Sequence, residues 1–270
     1  MGVYDYDLPT LLSSSPAGDS LSIYSSFSLA ADTSVYNTNL WGGGGSQVDF
    51  TGIGHRTSPS SAYYCKVVAL TKRHAIHSTH TSTGCEIGDE VTWIGANGTR
   101  YARTVIDRST YVSGTGNALY DYDVLYLSSD LPASIETYPL LADTTTTVTG
   151  LPVVKTNQSY QAHVCVVQGT DLINVTFTTA GSNPIDLYAG SWVLNDSGCP
   201  AFFLNGRQLI FIAGATQSAL SGRGPFVIHN YADIVSACAT LDAINAQTGY
   251  TPTTFSLSNY RGARAYAISQ

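Results

Sequence analysis

Apolar residues in this chain come in short runs separated by turn-forming residues such as Gly, Asn and Asp. Residues 64–70, 90–94, 122–127, 151–154, 163–167, 174–177 and 209–212 are runs of this kind, rich in Val, Ile, Tyr and Phe. Such lengths and residue types fit strands separated by turns and leave too little room for helices between them. The single change of period lies within 232–247, where Ile234, Val235, Cys238, Leu241 and Ile244 recur at helical spacing before Gly249. One helix is expected there, packing its apolar stripe on a core.

The chain of 270 residues is long enough to bury two barrel-sized cores. Only 11% of it is charged, against 43% hydrophobic residues and 25 glycines, as in β-rich proteins. Residues 1–48 read as a Ser- and Gly-rich N-terminal extension closing on Trp41 and four glycines. A first lobe is expected at 49–145, a second lobe with the C-terminal helix at 146–250, and a tail at 251–270. With 12 Lys and Arg against 19 Asp and Glu, the net charge of -7 provides no basic field for a phosphate backbone, so no nucleic-acid partner is expected. No run approaches the roughly 20 apolar residues that span a bilayer, and residues 1–30 lack a basic start followed by an apolar run. Neither a membrane partner nor a leader is expected. Sequons occur at Asn97, Asn157, Asn174 and Asn195.

Three places concentrate chemistry. Leu194-Asn195-Asp196-Ser197-Gly198-Cys199-Pro200 is a small polar turn between apolar flanks, suited to a constrained serine with backbone N–H groups around it; an ordinary hairpin loop has the same composition. In 70–80 an apolar strand runs into His74, His77 and His80. Their spacing of three would suit zinc on a helix, but Thr71, Ile76, Ser78 and Thr79 are poor helix formers and no acidic or Cys ligand stands at metal spacing, so no metal or cofactor is expected. In 119–127 an apolar strand opens with Asp121 and Asp123, and a buried carboxylate there needs a partner such as an imidazole N–H.

Taken together, in the order His, Asp, Ser, these segments resemble the trypsin/chymotrypsin family over roughly residues 50–235. Asn195 to Pro200 resembles its G-D-S-G-G-P, Arg73 to His80 its R-H-V-L-T-A-A-H, and Asp121 to Leu127 its D-I-A-L-L-K-L. The resemblance implies an all-β fold of two six-stranded antiparallel β-barrels of chymotrypsin type with a C-terminal helix, His80 and Asp121 in the first and Ser197 in the second. It implies a serine endopeptidase with a polypeptide substrate. Ser197 is the nucleophile, His80 the base, Asp121 the orienting carboxylate, and the N–H groups of Asn195 and Ser197 the oxyanion hole. Asp121 is preferred to Asp123 because it sets Val124, Leu125 and Leu127 on the family's apolar positions. Ser191, Ala213, Gly214 and Ala215 would line the substrate pocket without a charge. Cys65, fifteen positions before His80, would pair with Cys85.

The departures are Asn195 where the family has glycine, Cys199 for its second glycine, and no I-V-G-G-like start within residues 1–47. They fit a single-chain enzyme of bacterial or viral style, secreted or virus-associated. The alternatives are a protease-fold module that binds without cleaving and an unrelated β-rich structural protein.

Overall fold

A computed structural model describes residues 21–27, 34–41, 43, 48–56, 66–79, 85–110, 122–142, 148–149, 151–170, 174–178, 196, 198–215, 223–225 and 227–256. Six strands close the first barrel in the order β3-β4-β5-β8-β7-β6: β3 (Ile53–Arg56), β4 (Lys66–Ala69), β5 (His74–His77), β6 (Glu90–Ile94), β7 (Arg100–Thr110) and β8 (Asp123–Leu127). Every pairing in it is antiparallel. Closure removes the free edges that an open sheet of short strands would expose. Val67, Ala69, Ala75, Val91, Trp93, Leu125 and Leu127 fill its interior. Trp93 donates its indole N–H to the Gly52 carbonyl and lies over Gly54, where an added methyl would come within 2.7 Å of the ring; glycine there lets the backbone pass under the indole.

The second lobe is a mixed eight-stranded sheet among the described residues, ordered β15-β12-β11-β10-β13-β14-β9-β16. Its strands are β9 (Leu140–Leu141), β10 (Pro152–Thr156), β11 (Ala162–Thr170), β12 (Asn174–Thr178), β13 (Pro200–Asn205), β14 (Gln208–Gly214), β15 (Arg223–Pro225) and β16 (Thr254–Phe255). The run from β15 to β14 is antiparallel, and β9 then joins β14 and β16 in parallel. Val153, Cys165, Val167, Cys199, Ala201, Phe203, Ile210 and Ile212 form its own apolar cluster.

A third cluster lies between the lobes. It joins Val68, Ile76, Val124 and Tyr126 of the first barrel to Leu140, Val154, Phe202 and Phe211 of the second, and to Ile234, Cys238 and Leu241 of the helix. That helix, α1 (Val227–Ile244), begins five residues earlier than its periodicity suggests. Val227 and Ile228, a β-branched pair after Pro225, form its first turn. Val227 is buried in the interlobe cluster, and this tertiary contact outweighs the β preference of a Val-Ile pair.

Described parts of the segment expected as an extension also pack on this cluster. A two-stranded sheet, β1 (Tyr24–Ser26) with β2 (Val35–Tyr36), leads to Leu40 and Trp41, both fully buried. Ile23 N–H donates to the Tyr160 carbonyl at 2.7 Å and Trp41 Nε1 to the Ala162 carbonyl at 3.3 Å. The aromatics, rather than the Ser and Gly around them, decide where this segment lies.

Two histidines are held neutral by burial. Thr71 Oγ1 accepts the amides of Arg73 and His74, so its own proton goes to His74 Nδ1 at 3.0 Å and Nε2–H faces Asp242 Oδ1 on α1 at 3.6 Å. Burial lowers the His74 pKa more than Asp242 raises it. His163 Nε2 accepts from Asn157 Nδ2 at 3.2 Å, and burial, with Lys155 nearby, lowers its pKa to about 4. Below the ordinary value near 6.5, an unfolded chain binds protons at both positions that the folded chain refuses, so stability is lost as pH falls toward 4. Urea unfolding is expected to show a stability that drops from pH 7 to pH 5, and His163→Gln to remove about 1–2 kcal/mol of that drop. An unaltered slope in the variant would contradict the assignment.

Candidate active site

The closing pair of strands in the first barrel sets the geometry of the site. β5 and β8 run antiparallel with His74 opposite Tyr126 and His77 opposite Asp123. His77 ends β5 and Asp123 begins β8, so the two chains leave the barrel side by side. One continues through Ser78 and Thr79 to position 80; the other arrives from position 121 through Tyr122.

Asp123, the alternative to Asp121, has partners within the barrel. Its Oδ2 lies 3.7 Å from His77 Nε2 and 3.5 Å from Arg108 Nη1. Arg108 also holds Glu86 Oε2 at 2.7 Å and donates to the Cys85 carbonyl at 3.3 Å. The side chain of Asp123 is only 3% exposed, and a carboxylate so buried requires opposite charge. His77 is buried, and the signal for its pairing with Asp123 was the polar residue at the end of each of two otherwise apolar strands.

The second lobe brings the turn around position 197 to the same place. Cys199 N–H donates to the Asp196 carbonyl at 2.9 Å, closing a four-residue turn. Gly198 has φ 81°, the left-handed value a type II turn needs at its third position. Gly198 N–H donates to the Ala215 carbonyl at 2.8 Å, and Ala215 N–H to the Cys199 carbonyl at 2.9 Å, so the turn is zipped onto the end of β14. A methyl added at Gly198 would sit 3.8 Å from Ser78 Cβ and 3.6 Å from the Lys66 carbonyl, and one at Gly214 would lie 3.3 Å from Ser78 Oγ. The 196–199 turn, the exit of β5 and the end of β14 are therefore in contact.

A small cavity marks the junction, lined by His77, Ser78, Tyr122, Gly198 and Gly214 and roofed by Val227, Asn230 and Ile234 of α1. Its free space of about 20 Å³ has room for a single water.

His80, Asp121, Ser197, Asn195, Ser191 and Cys65 lie outside the described residues. Of the other residues expected at the site, Gly214 lines the cavity, whereas Ala213 and Ala215 are buried in the second lobe's apolar cluster. Cys85 is buried in the first barrel. Asp196, part of the serine motif, is buried and accepts Gln158 N–H at 3.0 Å, and Lys155 on β10, which sequence reasoning passed over, is also buried. A lysine at the inward parity of the run Val153-Val154-Lys155 was the available signal.

A closed antiparallel barrel, a second β lobe packed against it and a C-terminal helix over the junction define the trypsin/chymotrypsin-like fold, and this chain has it. Among solved structures, human heparin binding protein is similar over 76% of this chain and 95% of its own, with a TM-score of 0.56 and 13% identity. A second structure of that protein, at atomic resolution, gives a TM-score of 0.54 over the same shares at 12% identity. No family model and no curated protein matches the sequence.

Removing the guanidinium beside Asp123 tests the buried pair. Arg108→Met is expected to cost about 1–3 kcal/mol in urea unfolding, because the carboxylate keeps only His77. Glu86→Gln, on the exposed side of the same arginine, should cost under about 0.5 kcal/mol. Equal losses would show that Asp123 is not the charge Arg108 serves.

Proposed function

We propose that the chain is a serine endopeptidase with Ser197 as nucleophile, His80 as general base and Asp121 as the carboxylate that orients His80. One observation carries the reading: Ser78, Tyr122 and Gly198, drawn from the three segments that bear these residues, line a single cavity at the junction of the lobes. Convergence of three segments so distant in sequence, from two lobes, at one cavity is the placement a catalytic triad requires.

The register supports the choice of Asp121. Asp123 is opposite His77 and is engaged by it and Arg108, which leaves the carboxylate two residues earlier for His80. In the reaction Ser197 Oγ attacks the scissile carbonyl while His80 takes its proton, and the imidazolium is steadied by Asp121. The N–H groups of Asn195 and Ser197 would receive the oxyanion. His80 then protonates the leaving amine, and water repeats the sequence on the acyl-enzyme. Ser191 and Gly214 offer no charge to the side chain before the cleaved bond, so an uncharged residue is expected there.

A second reading, a protease-fold module that binds without cleaving, draws on the name of human heparin binding protein and on Asn195 in place of glycine. Net charge -7 makes a polyanion an unsuitable ligand for such a module here.

Covalent labelling by a fluorophosphonate, read by intact mass, decides between them without a known substrate. The native protein should gain one adduct and Ser197→Ala none. Asp121→Asn should slow labelling by about 10³–10⁴-fold while Asp123→Asn slows it far less. No adduct on the native protein would turn the reading to the binding module.

A further inference from the structure

Two of the three segments that meet at the cavity leave the first barrel from β5 and β8, and apolar packing alone does not align these strands. Every residue of both is buried, so no alternation of inner and outer residues distinguishes one register of the pair from another. Ala75 opposite Leu125 and Ile76 opposite Val124 are apolar pairs without direction. β7, the other neighbour of β8, adds freedom of its own, because its register against β8 shifts between Val105 and Asp107.

One carboxylate oxygen removes that freedom. Asp123 Oδ2 lies 3.7 Å from His77 Nε2 on β5 and 3.5 Å from Arg108 Nη1 on β7, and the side chains of His77 and Asp123 are only 1% and 3% exposed. Arg108 goes on to Glu86 Oε2 at 2.7 Å and to the Cys85 carbonyl at 3.3 Å, so the segment before β6 is tied to the same oxygen. A buried ion pair adds little net stability, since desolvation offsets the attraction, but it penalises every register in which its members lose each other. This one occupies the last pair of β5 and β8, where the two chains exit.

The alignment passes to the second lobe within one residue. Ser78 Oγ, directly after His77, donates to the Ala215 carbonyl at 3.5 Å, and the same carbonyl accepts Gly198 N–H at 2.8 Å. A displaced exit of β5 would therefore disturb the 196–199 turn as well as the chain leading to position 80. His77 itself lines the cavity beside Ser78, Tyr122 and Gly198.

We propose that His77 and Arg108 are positioning residues for the peptidase reaction: through Asp123 they set the register in which β5 and β8 leave the barrel, and with it the approach of the chains that carry His80, three residues after His77, and Asp121, two residues before Asp123. The inference rests on the peptidase reading for its catalytic consequence. Its structural half, the setting of register, is tested apart.

The native chain is compared with His77→Leu, His77→Gln and His77→Leu/Asp123→Leu in three measurements: urea unfolding, amide hydrogen exchange over residues 74–79 and 122–127, and acylation by a fluorophosphonate resolved into half-saturation and limiting rate. His77→Leu should lower the limiting rate about 10–100-fold with little change in half-saturation, as misplacement of a reacting group does. It should also speed exchange at both exits while β13 and β14 keep their protection. His77→Gln, which keeps an N–H donor toward Asp123, should recover most of both losses. The double leucine variant separates positioning from mere support. It should unfold at a urea concentration no lower than the native chain, because apolar residues replace a buried ion pair without loss, yet acylate as slowly as His77→Leu. Acylation that recovers along with stability in the double variant, native acylation in His77→Leu, or a glutamine variant no better than leucine would overturn the proposal. If the leucine variants do not fold, Arg108→Met and Arg108→Lys take their place: slow acylation with methionine that lysine largely restores is expected, and equal rates in the two overturn the proposal. If the native chain does not acylate, the peptidase reading falls, and the exchange comparison still decides whether His77 sets the register.

Discussion

Packing between the lobes, more than within either, holds this molecule in its working shape. Val68, Ile76 and Val124 reach out of the first barrel, Val154, Phe202 and Phe211 reach out of the second sheet, and α1 seals the seam with Ile234 and Leu241. Phe202 meets Tyr138 at 4.9 Å between ring centroids in an edge-on arrangement, the geometry in which aromatic rings add attraction beyond their buried area. The cavity that collects Ser78, Tyr122 and Gly198 is the rim of this seam, so loosening the interface would move the two halves of the site apart. The four buried cysteines placed by the structure belong to apolar clusters. Burial raises the Cys165 thiol to about 12 and the Cys238 thiol beyond the usual range, so these two behave as small apolar side chains rather than reactive ones.

Buried charge is distributed so that each case ties two elements together. His74 with Asp242 joins β5 to α1, Asp123 with Arg108 joins β8 to β7, and Asp196 with the Gln158 amide joins the 196–199 turn to the β10–β11 hairpin. Lys66, fully buried at the start of β4, lies with Nζ 3.0 Å from the centroid of Tyr160, whose hydroxyl is 2.6 Å from His55 Nδ1. An ammonium over an aromatic face is attracted by the ring quadrupole. Here it connects the first barrel to the second lobe, close to where Lys66 backbone faces Gly198. Such contacts add modest stability, but each has a direction and a partner, which apolar contacts lack, and so they fix register where packing alone would tolerate a slip.

The sequence displayed the fold wherever one face of a strand was buried and the other was also apolar. The runs at 90–94, 122–127, 163–167 and 209–212 fall on β6, β8, β11 and β14 because these strands are covered on both sides. β7 escaped notice: its Arg100, Arg103, Asp107 and Arg108 interrupt the apolar pattern, since much of this long strand faces solvent. The first turn of α1 was hidden by Val227 and Ile228, whose preference for strands is overruled by packing at the seam. The N-terminal strands were masked by abundant Ser and Thr around a few aromatics, and the burial of Tyr24 and Trp41 depends on partners more than a hundred residues away, which no local pattern carries.

For the site, sequence motifs named the three segments but not their support. Asp196 reads as part of a serine motif, and nothing near it in sequence announces Gln158, because it reaches Asp196 only through the pairing of β10 with β13. Departures from the family motif gain sense from the same pairing. Cys199 is fully buried in the second lobe, with its N–H and carbonyl both engaged in the turn, so its thiol fills core space while its backbone does the work of the glycine it replaces. Among the described residues of the turn, Gly198 takes the left-handed backbone. What the motif lost in glycines, the hairpin behind it supplies in hydrogen bonds.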